Sequence, residues 1–330
     1  MLSYPFVILV LFGIFLSCEK ERSIPHNPLA SWARSENWLL PKNSKNSSRI
    51  PTLLLSSPWQ KGLKEINELD GIDLLPTQGQ MPDHWEKVGS SFPDSVVALI
   101  EKHLYAVVFV KNLGSTGLTV ILREEEKKMG LIFLDSDLLV GSSNEWASKK
   151  EKTAFQFNIE EDLQIQIAEK ESFPMQNAIE WILLHELGHV IQVVYDHSPD
   201  FVLDKRDFRP YAFYKDVWWS ESNSYFDVTF FPERPKIKFY GNPTLKVFPE
   251  GIHTYKKLEN TPFVTLYAAI NADDTYAEAF ASYIHCILLK RPYKGKILQN
   301  GNSIFEFQNR IGEESGRRPK EFLENHFFQK

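Results

Sequence analysis

Cysteine is almost absent: the 330 residues contain two, Cys18 and Cys286. A disulfide scaffold is thereby excluded, and the fold must stand on its own apolar core. If Cys18 carries a lipid, no disulfide within the chain is possible at all. There is no dense Lys/Arg block, and the formal net charge of −6 offers no basic field for nucleic acid. No apolar run makes a comfortable membrane span, since the run from Phe6 to Leu16 is too short. No internal repeat is visible. What is present, 43% hydrophobic and 24% charged residues, is the composition of a globular protein with room for one large domain or two smaller lobes.

The run Phe6 to Leu16 ends at Ser17-Cys18-Glu19-Lys20, a short apolar segment closing on a small residue, as in an export signal. Phe15-Leu16-Ser17-Cys18 resembles a bacterial lipobox. The resemblance implies a signal peptide over 1–17, a lipidated Cys18 and an exported membrane lipoprotein facing the cell surface or periplasm. The alternative is a plain signal peptide, or a short anchor helix, with an incidental cysteine. Residues 18–49 are polar, punctuated by Pro25, Pro28 and Pro41, and read as a flexible tether. The folded part is expected over 50–330, with a sheet-containing lobe to about 195 and a second lobe beyond it.

Within that part, Pro93 to Leu104 predicts a helix, capped by Asp94 or Ser95. Tyr105 to Val110, Leu118 to Leu122 and Leu131 to Leu134 predict strands, as does the alternating segment Leu163 to Ala168. Apolar residues at three- and four-residue steps predict a largely buried helix from Met175 to Tyr195 and another from Asp273 to Leu289, the latter capped by Asn271 or Asp273. Residues 201–262 are irregular and aromatic. A short helix is expected from Ile304 to Ile311. Cys286 falls in an apolar helical stretch, as a small buried hydrophobe.

The first of the long helices carries His185-Glu186-Leu187-Gly188-His189. Side chains four apart leave one helix face a turn apart, so both imidazoles can approach one metal ion. Glu186, one step round the helix, is poorly placed to ligate but well placed to hydrogen-bond a water there. This is the H-E-x-x-H arrangement, with Glu as general base. Two buried histidines with Glu186 paired to a cation would be the purely structural reading, and burying three polar side chains in one apolar helix is costly without partners. A catalytic zinc site needs a third ligand. His197 follows too late, without the glycine turn that would bring it back. Glu278, among small residues in Ala277-Glu278-Ala279-Phe280-Ala281, is the better donor, and Glu221 the rival.

At these two segments the chain resembles the gluzincins, metallopeptidases with H-E-x-x-H and a downstream Glu ligand. The resemblance implies one Zn2+ held by His185, His189 and Glu278, with Glu186 as catalytic base and Tyr267 as the donor to the tetrahedral intermediate. Tyr225, His253 and Tyr276 are further candidates for that donor. Thermolysin-type members carry Asp four residues after the ligand Glu, where this chain has Ser282. The partner of the histidines is therefore open; Asp274 is a candidate, with helix capping as its alternative role. The implied fold is α+β and zincin-like, with a small mixed sheet and the active-site helix followed by a helical and irregular lobe. The expected activity is zinc-dependent hydrolysis of protein or peptide substrates. The rival is a non-catalytic surface-anchored metal-binding protein or adhesin. The aromatic cluster around Tyr211, Phe213, Tyr214, Trp218 and Trp219 fits core packing better than a substrate cleft.

Overall fold

The computed structural model describes residues 49–69, 75–124, 127–201, 203 and 205–328. The expected signal, Cys18 and nearly all of the tether lie outside these residues. The described chain begins with β1 (Thr52–Leu53), α1 (Ser57–Leu69), β2 (Thr77–Gln78) and α2 (Asp94–His103). Then come β3 (Leu104–Lys111), β4 (Gly117–Glu124), β5 (Lys127–Asp135), α3 (Ser143–Lys152), β6 (Phe155–Gln156), β7 (Glu161–Gln166) and α4 (Gln176–Val194). After an irregular stretch follow β8 (Leu245–Lys246), α5 (Ile252–Leu258), α6 (Ala272–Ser282), β9 (Lys294–Gln299), β10 (Asn302–Gln308) and α7 (Arg317–Phe327). Mixed sheets with helices against them make the architecture α+β. Among the described residues no helix is long and apolar enough to cross a membrane.

The main sheet has the order β1-β3-β5-β4, with β2 antiparallel on β3. β3 and β5 run parallel, and β4 returns antiparallel on β5 as the outermost strand. β3 is apolar on both faces because both are covered. Val107 and Phe109 join the main core on the α4 side, while Ala106, Val108 and Val110 pack with Trp59 and Leu63 of α1. The two-residue period of the strand sorts them.

In α4 every residue but His189 and Val194 is buried. Its first amides are not capped by its own N-cap, Met175. Ser143 Oγ accepts from Ala178 N at 2.8 Å, and Glu171 Oε1 from Asn177 N at 3.2 Å. α3 itself starts with a capping box between Ser142 and Glu145. α6 is capped by Asn271, which accepts from Asp274 N at 2.8 Å, and continues into a wider π-helical turn over Tyr283–Leu288. On α2 the cap is Pro93, with no side-chain hydrogen bond, where Asp94 or Ser95 was expected.

The second sheet, β10-β9-β7, joins the two halves of the chain, since β7 pairs with β9 from beyond residue 290. It also corrects one expectation. The segment read as a helix from Ile304 to Ile311 is strand β10, antiparallel to β9 across Asn300-Gly301. Both turn residues have positive φ, 52° and 76°, the requirement of a tight two-residue hairpin. Phe307 then stacks on Tyr255 with ring centroids 3.7 Å apart.

α4 and α6 approach closely at Gly188. A Cβ there would stand 2.8 Å from Ala277 Cα and 3.2 Å from its carbonyl oxygen, which are backbone atoms that cannot swing aside. In an open helix Gly→Ala adds about 1 kcal/mol of stability. Here Gly188→Ala is expected to lower stability by about 1–3 kcal/mol through overpacking. Chemical denaturation checks the sign, and a variant as stable as wild type would refute the close approach.

Candidate metal centre

The contact at Gly188 sets α6 against the histidine face of α4. His185 Nε2 lies 3.2 Å from His189 Nε2 and 3.2 Å from Asp274 Oδ1, and His189 Nε2 lies 3.5 Å from the same oxygen. Four ligands at Zn–N or Zn–O lengths of about 2.0–2.1 Å stand about 3.3 Å apart in a tetrahedron. The three atoms therefore form a triangle of the size that one metal ion requires. Their side chains are only 10%, 15% and 11% exposed. This group can hold a metal ion. Two imidazoles and a carboxylate suit zinc, leaving a fourth position open.

The expected third ligand, Glu278, is elsewhere. It is fully buried on the far side of His185, with Oε1 3.1 Å from Nδ1 rather than Nε2. Nδ1 makes no directed hydrogen bond there. Lys150 Nζ donates to the same oxygen at 2.9 Å, and Thr265 Oγ1 to Oε2 at 2.7 Å. Asp274 and Glu278 sit four residues apart on one helix face, so the sequence pattern suits both. The position of α6 along α4, set by the Gly188–Ala277 contact, brings the earlier turn to the Nε2 atoms. Asp274 is not the N-cap, although its backbone amide receives the cap of Asn271. Asn271 Nδ2 also donates to its Oδ2 at 2.6 Å, leaving Oδ1 for the histidines.

The other donors considered are engaged away from the triangle. Glu221 is exposed and paired with Arg206 at 2.7 Å, and buried Asp273 pairs with the same arginine at 2.7 Å. His197 Nδ1 meets the hydroxyl of buried Tyr276 at 2.8 Å. Ser282, buried, accepts from Asn309. Tyr225 is exposed against Trp219, and exposed His253 lies 4.0 Å from Glu233. In the aromatic cluster Phe213, Tyr214 and Trp218 are buried, as the core reading expects, while Trp219 is 37% exposed.

Glu186 lies against the outermost strand. Thr119 Oγ1 is 2.8 Å from Glu186 Oε2 and 3.0 Å from its backbone carbonyl, so one hydroxyl steadies both. Gly117 leaves room for the carboxylate, since a Cβ there would fall 2.5 Å from Oε1. Among the described residues no cation is paired with Glu186. Glu186, His185 and Tyr267 line a small cleft of about 60 Å³, together with Gly117, Lys150 and Tyr240. Tyr240 escaped the sequence reading; it lies in the irregular stretch, at φ 58°, with no motif around it. Tyr267 stands 5.7 Å from the His185 ring, with Lys150 Nζ 3.9 Å over its face. A wider concavity of about 1110 Å³, lined by residues such as Lys149, Lys152 and Lys294, contains none of the metal-facing groups. Size alone does not mark the site.

Burial alone would lower the His185 pKa, but the carboxylates of Asp274 and Glu278 outweigh it and raise it to about 9. A metal ion there has to displace that proton. Burial opposes ionisation of Asp274 too, and the two histidines hold it well below the usual carboxylate range. Glu278 is held at about 2 against burial, chiefly by the Lys150 cation. Burial pushes the Tyr267 hydroxyl well above the ordinary tyrosine range, so it remains a proton donor.

Comparison with protein-family models, with curated proteins and with solved structures finds no match.

Two outcomes follow from this geometry. Asp274→Ala is expected to lose zinc on dialysis against a weak chelator, whereas Glu278→Gln, which keeps an oxygen beside His185, retains it with affinity within about 10–100-fold of wild type. The reverse order would return the ligand role to Glu278. The second outcome concerns Glu151, next to Lys150. It is 1% exposed, with Oε1 accepting from Tyr255 at 2.6 Å and Oε2 unpartnered. Burial raises its pKa to about 7, the charge of Glu278 adding to it while Tyr255 and Lys150 oppose. A raised carboxyl pKa makes the folded state bind the extra proton, so stability falls as pH rises from about 4.3 towards 7. Glu151→Gln cannot ionise and should remove that fall. At pH 8 it should be more stable than wild type by on the order of 1–3 kcal/mol. Unfolding midpoints across pH decide it, and an unchanged slope refutes it.

Proposed function

We propose that this protein is a zinc-dependent peptidase of the H-E-x-x-H class, with His185, His189 and Asp274 as metal ligands and Glu186 as general base. The observation that carries the reading is the triangle of Nε2, Nε2 and Oδ1 atoms, with the carboxylate of Glu186 on the same helix pairing with no cation among the described residues. Asp274 takes the place the sequence reading gave to Glu278. Glu278 instead lies beside the far nitrogen of His185 and is itself neutralised by Lys150, as a supporting carboxylate behind a metal-binding histidine.

Zinc bound to this set would acidify a water and polarise a substrate carbonyl. Glu186, steadied at Oε2 by Thr119, accepts a proton from the attacking water and returns it to the leaving amine. Its Oε1 lies against Gly117, where no side chain intervenes. Tyr267, protonated and lining the same cleft, is the available donor for the developing oxyanion. β4 is outermost in its sheet, so an extended peptide could lie along it with its carbonyl brought to Glu186, giving affinity without a demand for one side-chain sequence. Peptides and unfolded proteins are therefore the proposed substrates, and the proposed setting is that of an exported lipoprotein anchored through Cys18.

Glu186→Gln keeps the size and the hydrogen bond to Thr119 but cannot take the proton. It should retain zinc and lose nearly all hydrolysis of an unstructured substrate such as casein, at least about 100-fold. Wild-type protein that binds zinc without cleaving casein or mixed peptides would favour the non-catalytic metal-binding reading instead.

A further inference from the structure

His189 is contacted from behind by a side chain that lies outside the motif. Gln192, three residues along α4, is fully buried. Its Nε2–H donates to His189 Nδ1 at 3.1 Å, and its Oε1 accepts from the hydroxyl of Tyr214 at 2.6 Å. Tyr214 is also fully buried, and burial pushes its hydroxyl well above the ordinary tyrosine range, so it stays protonated.

The polarity of this chain conflicts with metal binding at Nε2. A neutral imidazole has one N–H and one lone pair. An amide N–H directed at Nδ1 needs the lone pair there, which puts the proton on Nε2. Nε2 is the atom that faces His185 and Asp274, and a protonated nitrogen cannot ligate. The ligating tautomer carries its proton on Nδ1, which would then oppose the Gln192 N–H, donor against donor. Half a turn of the carboxamide removes the conflict. Oε1 then accepts from Nδ1–H, and Nε2 donates to the phenol oxygen of Tyr214, which has lone pairs to spare.

We propose that Gln192 is the positioning residue of His189, and that its amide turns over when a metal ion is taken up, fixing the Nδ1-protonated tautomer. This rests on the assignment of His189 as a ligand. A glutamate at the same place would accept from His189 Nδ1–H and from the Tyr214 hydroxyl together, with no turning needed.

The test is zinc affinity at pH 8, by competition with a chromophoric chelator, for wild type, Gln192→Leu and Gln192→Glu, with ring-nitrogen NMR of His189 in wild type before and after zinc. Gln192→Leu should bind about 10–100-fold more weakly, and Gln192→Glu at least as tightly as wild type. A residue that merely fills space predicts the opposite order, because leucine suits a buried site and a carboxylate does not. The NMR signal should show the proton moving from Nε2 to Nδ1 as zinc is added. Wild-type affinity in Gln192→Leu, or one tautomer throughout, overturns the proposal. Should Gln192→Glu fail to fold, the leucine variant and the wild-type spectra still decide. Wild-type protein that takes up no zinc defeats the peptidase reading itself, whereas zinc binding indifferent to Gln192→Leu defeats this inference alone.

Discussion

The close approach of α4 to α6 at Gly188 and Ala277 governs the rest of the molecule. With no Cβ on Gly188, the helix backbones nearly touch, and everything at the site follows from which turn of α6 then faces which nitrogen of His185. Slide α6 by one turn and Asp274 would lose the Nε2 atoms. The wider π-helical turn at Tyr283–Leu288 and the cap at Asn271 delimit α6 on either side of this contact. The small residues around Glu278 are part of the same constraint, because bulk there would hold the helices apart.

The second organising principle is charge compensation among buried groups. A fully buried carboxylate is tolerable only when paired, and breaking such a pair costs about 3–5 kcal/mol. Glu278 has Lys150 and Thr265. Asp273 shares Arg206 with Glu221, and this tie joins α6 to the irregular stretch. Among the described residues Asp274 has the imidazoles and one side-chain amide, and no Lys or Arg. It is therefore the acidic group of α6 whose charge is not answered by a Lys or Arg, and a metal ion would answer it. Among the described residues Glu186 is steadied by the hydroxyl of Thr119 rather than by a cation.

Much of this was legible in the sequence, for reasons particular to each element. β3, β4 and β5 announced themselves by dense β-branched and aromatic runs. α4 did so by apolar residues too close-spaced for a surface helix, and its histidine pair by the four-residue step. The cap of α6 by Asn271 was legible for the same local reason. The choice between Asp274 and Glu278 was not, because periodicity fixes a face and not a position along the helix axis. β10 was misread because Ile304, Phe307 and Ile311 fit a helical step, while the turn at Asn300-Gly301 that makes it a strand lies outside that window. The N-terminus of α4 is satisfied by Ser143 and Glu171, residues that no local pattern connects to it. Gln192 and Tyr240 carry no motif at all; their roles come from neighbours distant in the chain.

The pairing of β7 with β9 bears on the order in which the chain can become itself. Ile165 finds its partner Gly295 only about 130 residues later. α4, lying between them in sequence, is covered on one side by β4 and β5, which precede it, while the side that faces α6 stays bare until that helix is made. Contacts of such long range are slow to form, because the intervening loop must close before they stabilise anything. During synthesis the two histidines therefore emerge on a sticky, unroofed helix well before Asp274 exists beside them. A nascent chain in that condition is prone to aggregation and to holding by chaperones. Truncation before α6 would leave the protein permanently at that stage.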